Sequence, residues 1–149
     1  MYLTNLTTLI LEGDYHPKLG DTLQAFYQQS KRLETLVVKL PDLDDVLNVL
    51  PRNGHSTIQS LHIQLSDTDL LARSEMDKDN TLRSELETMV QLLGQPIFNR
   101  LTRFTIHLDQ DFKGRRITPL NQTLVASMLK PLHFQPDAYD RTAFYRLSD

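Results

Sequence analysis

The side chains that could carry chemistry in this chain are five scattered histidines, with no cysteine beside them. The histidines are His16, His55, His62, His107 and His133. The lack of cysteine excludes disulfides, thiolate zinc sites, iron–sulfur clusters and thiol catalysis. The sequence also has no Gly-x-Ser-x-Gly elbow, no Gly-rich phosphate loop and no His-Glu-x-x-His motif. We therefore predict no catalytic residue, no metal site and no cofactor, and we do not expect an enzyme.

The densest basic cluster lies in residues 112–116 and contains Lys113, Arg115 and Arg116. Such a cluster can contact phosphate or an acidic protein segment. The chain as a whole has 16 Lys and Arg against 19 Asp and Glu, a net charge of −3, and few aromatic residues surround the cluster. This balance does not favour nucleic acid. The cluster is either a solvated loop or an extension of a protein-binding surface toward an acidic partner.

The composition is that of one soluble globular domain. The chain has 149 residues, of which 40% are hydrophobic and 23% charged. No apolar stretch approaches the roughly 18 residues that indicate a membrane span. Residues 1–14 lack the basic start of a signal peptide. We therefore expect an intracellular protein, cytoplasmic or nuclear, without a membrane partner.

One apolar pattern recurs four times: an apolar residue, two others, an apolar residue, one other and a third apolar residue. Its copies are Leu6, Leu9, Leu11; Leu33, Leu36, Val38; Ile58, Leu61, Ile63; and Leu101, Phe104, Ile106. The end of each copy alternates in the period of a β-strand. Between the copies the apolar spacing becomes helical, with helix starts near Asp21, after Asp42, at Asn80 and at Pro119. The order β-α repeated four times predicts an α/β fold of parallel units.

The spacing Leu-x-x-Leu-x-Leu, in phase with helices, resembles leucine-rich repeats over about residues 3–132. Repeats of about 25–27 residues with true helices are most similar to the divergent repeats of fungal F-box-type substrate receptors. The resemblance implies a leucine-rich-repeat-like solenoid with a parallel sheet on the concave side and helices on the convex side. The expected single domain, 1–149, has units of about 3–30, 31–55, 56–98 and 99–132 and a tail at 133–149.

The chain also departs from that family. The family places Asn or Cys three residues after the last strand leucine, whereas this chain has Asp14, Pro41, Ser66 and Asp109 there. An unrelated α/β sandwich with a similar alternation therefore stays open as the alternative fold. Residues 40–47 resemble only the opening of an F-box, and the rest of that motif is missing. The acidic segment 66–81 lies outside the repeat period, and we expect it to be the most mobile internal segment.

In a repeat array of this kind the variable strand residues point to the concave solvent face. By phase, these residues are Thr8, Ile10, Glu12, Thr35, Val37, Lys39, Ser60, His62, Gln64, Arg103, Thr105 and His107. The predicted partner-binding residues are Lys39, His62, Gln64, Arg103 and His107, together with Lys113, Arg115 and Arg116. The resemblance implies a non-enzymatic protein-binding scaffold, as in substrate recognition for a ubiquitin ligase.

The start of the chain suggests an alternative function. A strand begins almost at once, with no polar cap before Leu6, and solenoids need capping units for solubility. The chain could therefore be a fragment or structural subunit of a longer repeat array with no independent ligand. In that case we expect self-association through the uncapped N-terminal repeat.

Overall fold

The structure is a computed structural model that describes residues 6–13, 16–52, 57–66, 80–109, 117–119, 122–140 and 142–146. Its strands are β1 (Thr8–Glu12), β2 (Thr35–Leu40), β3 (Ser60–Leu65), β4 (Arg103–Asp109), β5 (Ile117–Pro119), β6 (Phe134–Pro136) and β7 (Ala143–Arg146). Its helices are α1 (Pro17–Gln29), α2 (Leu43–Val49), α3 (Asn80–Leu93) and α4 (Gln122–Leu129), with 3-10 turns at Pro96–Phe98 and Lys130–Leu132. Most of the acidic segment, residues 67–79, lies outside the described residues.

The described strands form one open sheet in the order β1-β2-β3-β4-β7-β6, and β5 pairs with β4 beside this path. Strands β1 to β4 are parallel, as the β-α order predicts. Strands β5 and β7 run antiparallel to β4, and β6 runs antiparallel to β7. The register keeps the apolar repeat in phase, because Leu36 lies opposite Leu61, which lies opposite Phe104. The prediction of an α/β fold built on parallel strands is confirmed.

The core lies between the sheet and the layer formed by α1 to α4. Alternate residues of β2 and β3 are fully buried, as in Leu36 and Leu61, whose exposed fraction is 0%. Each helix packs against the next one along the chain. The buried Tyr27 hydroxyl in α1 donates to the Val49 carbonyl at the end of α2, at 2.6 Å. The helices therefore cover one face of the sheet and share its core.

The C-terminal part of the sheet differs from the sequence expectation. The apolar pattern assigns no element to residues 133–149, yet β6 and β7 form an antiparallel hairpin that joins the edge of β4. The two strands have three and four residues, which is too short for a period-two signal to stand out. Arg146 fixes the hairpin, since its guanidinium donates to the Phe98 carbonyl at 2.8 Å and lies over the Phe134 ring at 4.9 Å.

Two helices also begin at residues other than those expected from the sequence. The first helix begins at Pro17, where His16 Nδ1 accepts a hydrogen bond from the Lys18 N–H at 3.2 Å, and not near Asp21. Proline at the first helical position is favoured because its fixed φ suits a helix start. The fourth helix begins at Gln122, because Pro119 belongs to β5 and pairs with β4. Proline is compatible with a strand end or edge, so its presence alone could not distinguish the two.

Candidate functional site on the open sheet face

The side of the sheet turned away from the helices, here called the open face, is lined by three rows of side chains from β1 to β4. The rows are Thr8, Thr35, Ser60, Arg103; Ile10, Val37, His62, Thr105; and Glu12, Lys39, Gln64, His107. Most of these side chains are half-buried or exposed, whereas their strand neighbours in β2 and β3 are buried. The strand period therefore separates this face cleanly from the core.

The structure places the five strand residues of the predicted site on this one face. Lys39, Gln64 and His107 lie side by side in one row, His62 lies in the next row, and Arg103 lies in the row beyond that. Arg103 is exposed and the other four are half-buried. Lys113, Arg115 and Arg116 lie outside the described residues. The role of all eight residues in binding stays a prediction.

Four groups around β4 form a polar cluster on the open face: His62, Arg103, His107 and Asp140. Asp140 comes from the loop between β6 and β7, and its carboxylate accepts hydrogen bonds from the Thr142 hydroxyl at 2.6 Å and the Thr142 N–H at 2.9 Å. These bonds lower the pKa of Asp140, with the charges of Arg103 and His107 adding to the effect against a desolvation penalty. Asp140 is not among the residues predicted from the sequence, because it reaches the cluster from a loop outside the repeat pattern.

The surroundings of the His62 imidazole favour its neutral form. Burial lowers its pKa most, and the positive charges of Arg103 and His107 lower it further, while Asp140 opposes them. Its Nδ1 lies 2.7 Å from the Thr105 hydroxyl oxygen. A hydroxyl bonded to a neutral imidazole is the pair that a nucleophile and its base require. Thr105 is only 6% exposed, however, so this bond fixes the ring of His62 and offers little access to a substrate.

The hairpin extends the open face beyond β4. Tyr145 in β7 lies opposite Arg103, and Ala143 lies opposite Thr105. The Tyr145 ring is 39% exposed, whereas Ala143 is buried. Exposed Tyr and Arg side chains are the residue types that most often dominate protein interfaces. Neither this extension nor the hairpin that carries it is predicted from the sequence.

The helix layer carries a separate open groove of about 540 Å³ between α2 and α3. The residues that line it are Asp44, Leu47, Asn48, Arg52, Ser84, Glu85 and Thr88. None of the five described residues of the predicted site lines it. Across the part of the chain that the structure describes, no three His, Asp or Glu side chains converge as metal ligands. In the same residues, no helix is long and apolar enough to cross a bilayer.

Comparisons of this chain with protein-family models, with curated proteins and with solved structures find no match. The functional assignment therefore depends on the open face itself. Among its described residues, that face offers fixed hydrogen-bonding groups, the exposed cation of Arg103 and the exposed aromatic ring of Tyr145. Such an arrangement can recognise a protein surface or an extended peptide.

Proposed function

We propose that this chain is a non-enzymatic protein-binding module that uses the open face. The observation that carries the proposal is the in-phase register of β1 to β4, which brings three rows of polar and small apolar side chains into one continuous surface. The same register supports the finer proposal of a leucine-rich-repeat-like solenoid in which this face is concave. By that resemblance, the partner class includes substrates of a ubiquitin ligase.

The open face suits recognition because its side chains are carried on paired strands. Groups held on rigid elements lose little conformational entropy on binding. His62 is fixed by Thr105, and Asp140 is fixed by Thr142. Arg103 and Tyr145 lie in one row at the exposed end of the surface. We therefore expect the centre of the contact near β4 and β7, with Lys39 at its margin.

A site-specific photo-cross-linker tests the proposal. A benzophenone amino acid replaces Tyr145 on the open face and, as the matched control, Thr88 on the exposed side of α3. Each variant is irradiated in an extract of the source cells, and the cross-linked proteins are identified by mass spectrometry. We expect one partner to cross-link at position 145 and not at 88. A partner that cross-links at 88 and not at 145 would contradict the proposal. Recovery of a ubiquitin-ligase adaptor or substrate at position 145 would support the finer proposal, that the partners include substrates of a ubiquitin ligase.

One observation favours the second candidate, a structural subunit of a longer array. Leu9 and Leu11 in β1 are only half-buried, whereas their register neighbours in β2 are fully buried. The core is thus less complete at β1 than in the interior strands. The same cross-linking experiment separates the two candidates, because a subunit without a ligand gives no cross-link at either position.

A further inference from the structure

The outer edge of β1 exposes a row of backbone hydrogen-bonding groups. Among the described residues, β1 pairs with β2 on one side and with no strand on the other. The Thr7 carbonyl accepts a hydrogen bond from the Thr35 N–H of β2 at 2.9 Å, and the Gly13 N–H donates to the Lys39 carbonyl of β2 at 3.4 Å. Because alternate residues of a parallel strand turn to the same side, the N–H and C=O groups of Thr8, Ile10 and Glu12 point away from β2.

The same edge carries apolar side chains on both faces of the sheet. On the helix side, Leu9 and Leu11 are half-buried, as is Phe26 of α1. On the open face, Ile10 is 55% exposed. An exposed edge strand with apolar side chains is a template for pairing with another strand. The edge therefore has both the backbone groups and the side chains that such pairing would use.

We propose that a second copy of this chain pairs with β1 in antiparallel orientation, about a two-fold axis through Ile10. The strand reads Thr-Leu-Ile-Leu-Glu from Thr8 to Glu12, and its polar and apolar residues are arranged symmetrically about Ile10. Antiparallel pairing about this centre sets Ile10 opposite its own counterpart and Thr8 opposite Glu12. The Thr8–Glu12 pair occurs once on each side of the axis, so three pairs use the outward-pointing groups, which gives about six backbone hydrogen bonds.

Side-chain complementarity favours a second copy over an unrelated strand. In the proposed register Leu9 lies opposite Leu11 on the helix side, so the half-buried leucines of each copy cover those of the other. Glu12 meets Thr8, so no like charges face each other across the axis. A two-fold axis uses one surface on both copies, which is the commonest arrangement in homo-oligomers. The open face from β2 to β7 stays free in each copy, so the dimer and the proposed function are independent.

The strand pair alone is small. Stable interfaces bury about 1,200 Å² or more in total, and a strand of five residues on each copy is short for an interface of that size. We therefore expect a dimer that dissociates on dilution.

Mass measurement by analytical ultracentrifugation over a wide concentration range tests the dimer. Ile10→Pro removes the N–H at the axis, which is not bonded to β2, and proline is tolerated at an edge strand. Ile10→Lys places two like charges at the axis. Val37→Lys is the control, because Val37 is the register neighbour of Ile10 on the same face but in an interior strand. We expect wild type and Val37→Lys to reach twice the chain mass, and both Ile10 variants to stay at the single-chain mass.

A wild type that stays monomeric throughout, or a dimer that persists in both folded Ile10 variants, would overturn the proposal. If both Ile10 variants fail to fold, amide hydrogen exchange on the wild type decides. We expect the amides of Thr8, Ile10 and Glu12 to exchange more slowly as concentration rises. Exchange rates that do not depend on concentration would equally overturn the dimer.

Discussion

At the scale of single residues, the fold depends on the leucines at the centre of the interior strands. Leu61 is fully buried between β2 and β4, whereas Leu9 holds the equivalent position at the sheet edge and is half-buried. Their positions in the apolar repeat are the same, so the repeat pattern predicts both as core residues. Their exposure differs because Leu61 lies between two neighbouring strands. Among the described residues, Leu9 has a neighbouring strand on one side only.

Truncating these two leucines should therefore have unequal effects. Leu61→Ala removes buried apolar area and leaves a cavity, and we expect the free energy of unfolding to fall by about 2–5 kcal/mol. Leu9→Ala should cost clearly less, because its site is already partly open to water. Denaturant unfolding of both variants measures the difference. A loss below about 0.5 kcal/mol for Leu61→Ala would contradict the proposed core.

The lowered pKa of His62 predicts a pH dependence of stability. As the pH falls through the ordinary pKa of 6.5, the unfolded chain takes up a proton on this imidazole more readily than the folded chain does. The free energy of unfolding should therefore fall as the pH drops through 6.5, by at most about 1.4 kcal/mol per pH unit. In His62→Gln this contribution is absent, while the amide can still bond to Thr105. Unfolding curves of both proteins from pH 7.5 to 5 test this prediction. If the free energy of unfolding depends on pH identically in both proteins, the lowered pKa of His62 is contradicted.

At the scale of elements, the sequence predicts those elements whose ends carry local signals. Asp42 was expected ahead of α2, and its carboxylate accepts from the Asp44 N–H at 3.4 Å. Asn80 was expected to start α3, and it does. The β6–β7 hairpin carried no such signal, because it is held by contacts that are distant in sequence. Arg146, for example, reaches the carbonyls of Phe98 and Asn99 from 48 and 47 residues away.

Arg146 should therefore control the hairpin. In Arg146→Met both hydrogen bonds and the contact with the Phe134 ring are lost, and we expect a destabilisation of about 1.5–3 kcal/mol. Arg146→Lys should recover only part of it, since an ammonium cannot reproduce the planar guanidinium. Arg100→Met is the matched control at an exposed site, where we expect a change within about 0.5 kcal/mol. Thermal unfolding measures the stability of all three variants. Equal stability of Arg146→Met and Arg100→Met would contradict the role of Arg146 in holding the hairpin.

At the scale of the whole molecule, the strand residues of the candidate site could be predicted because a period of two fixes their face once the register is known. His62 and Gln64 share the open face by that rule alone. Asp140 and Tyr145 could not be predicted, since a loop and a short antiparallel strand bring them to β4. The pattern of a repeat thus defines the middle of the surface, and the contacts of the C-terminal hairpin define its end.

A binding titration against the partner cross-linked at position 145 tests the role of the open face most directly. Lys39→Glu and Arg103→Glu reverse charges on that face, and Lys18→Glu reverses an exposed charge on α1 as the control. We expect the Kd to rise about tenfold for Arg103→Glu near the centre of the contact, to rise less for Lys39→Glu at its margin, and to stay at the wild-type value for Lys18→Glu. The difference should shrink as salt rises, since exposed charges are screened over about 8 Å at physiological ionic strength. Wild-type affinity in both folded open-face variants would contradict the account.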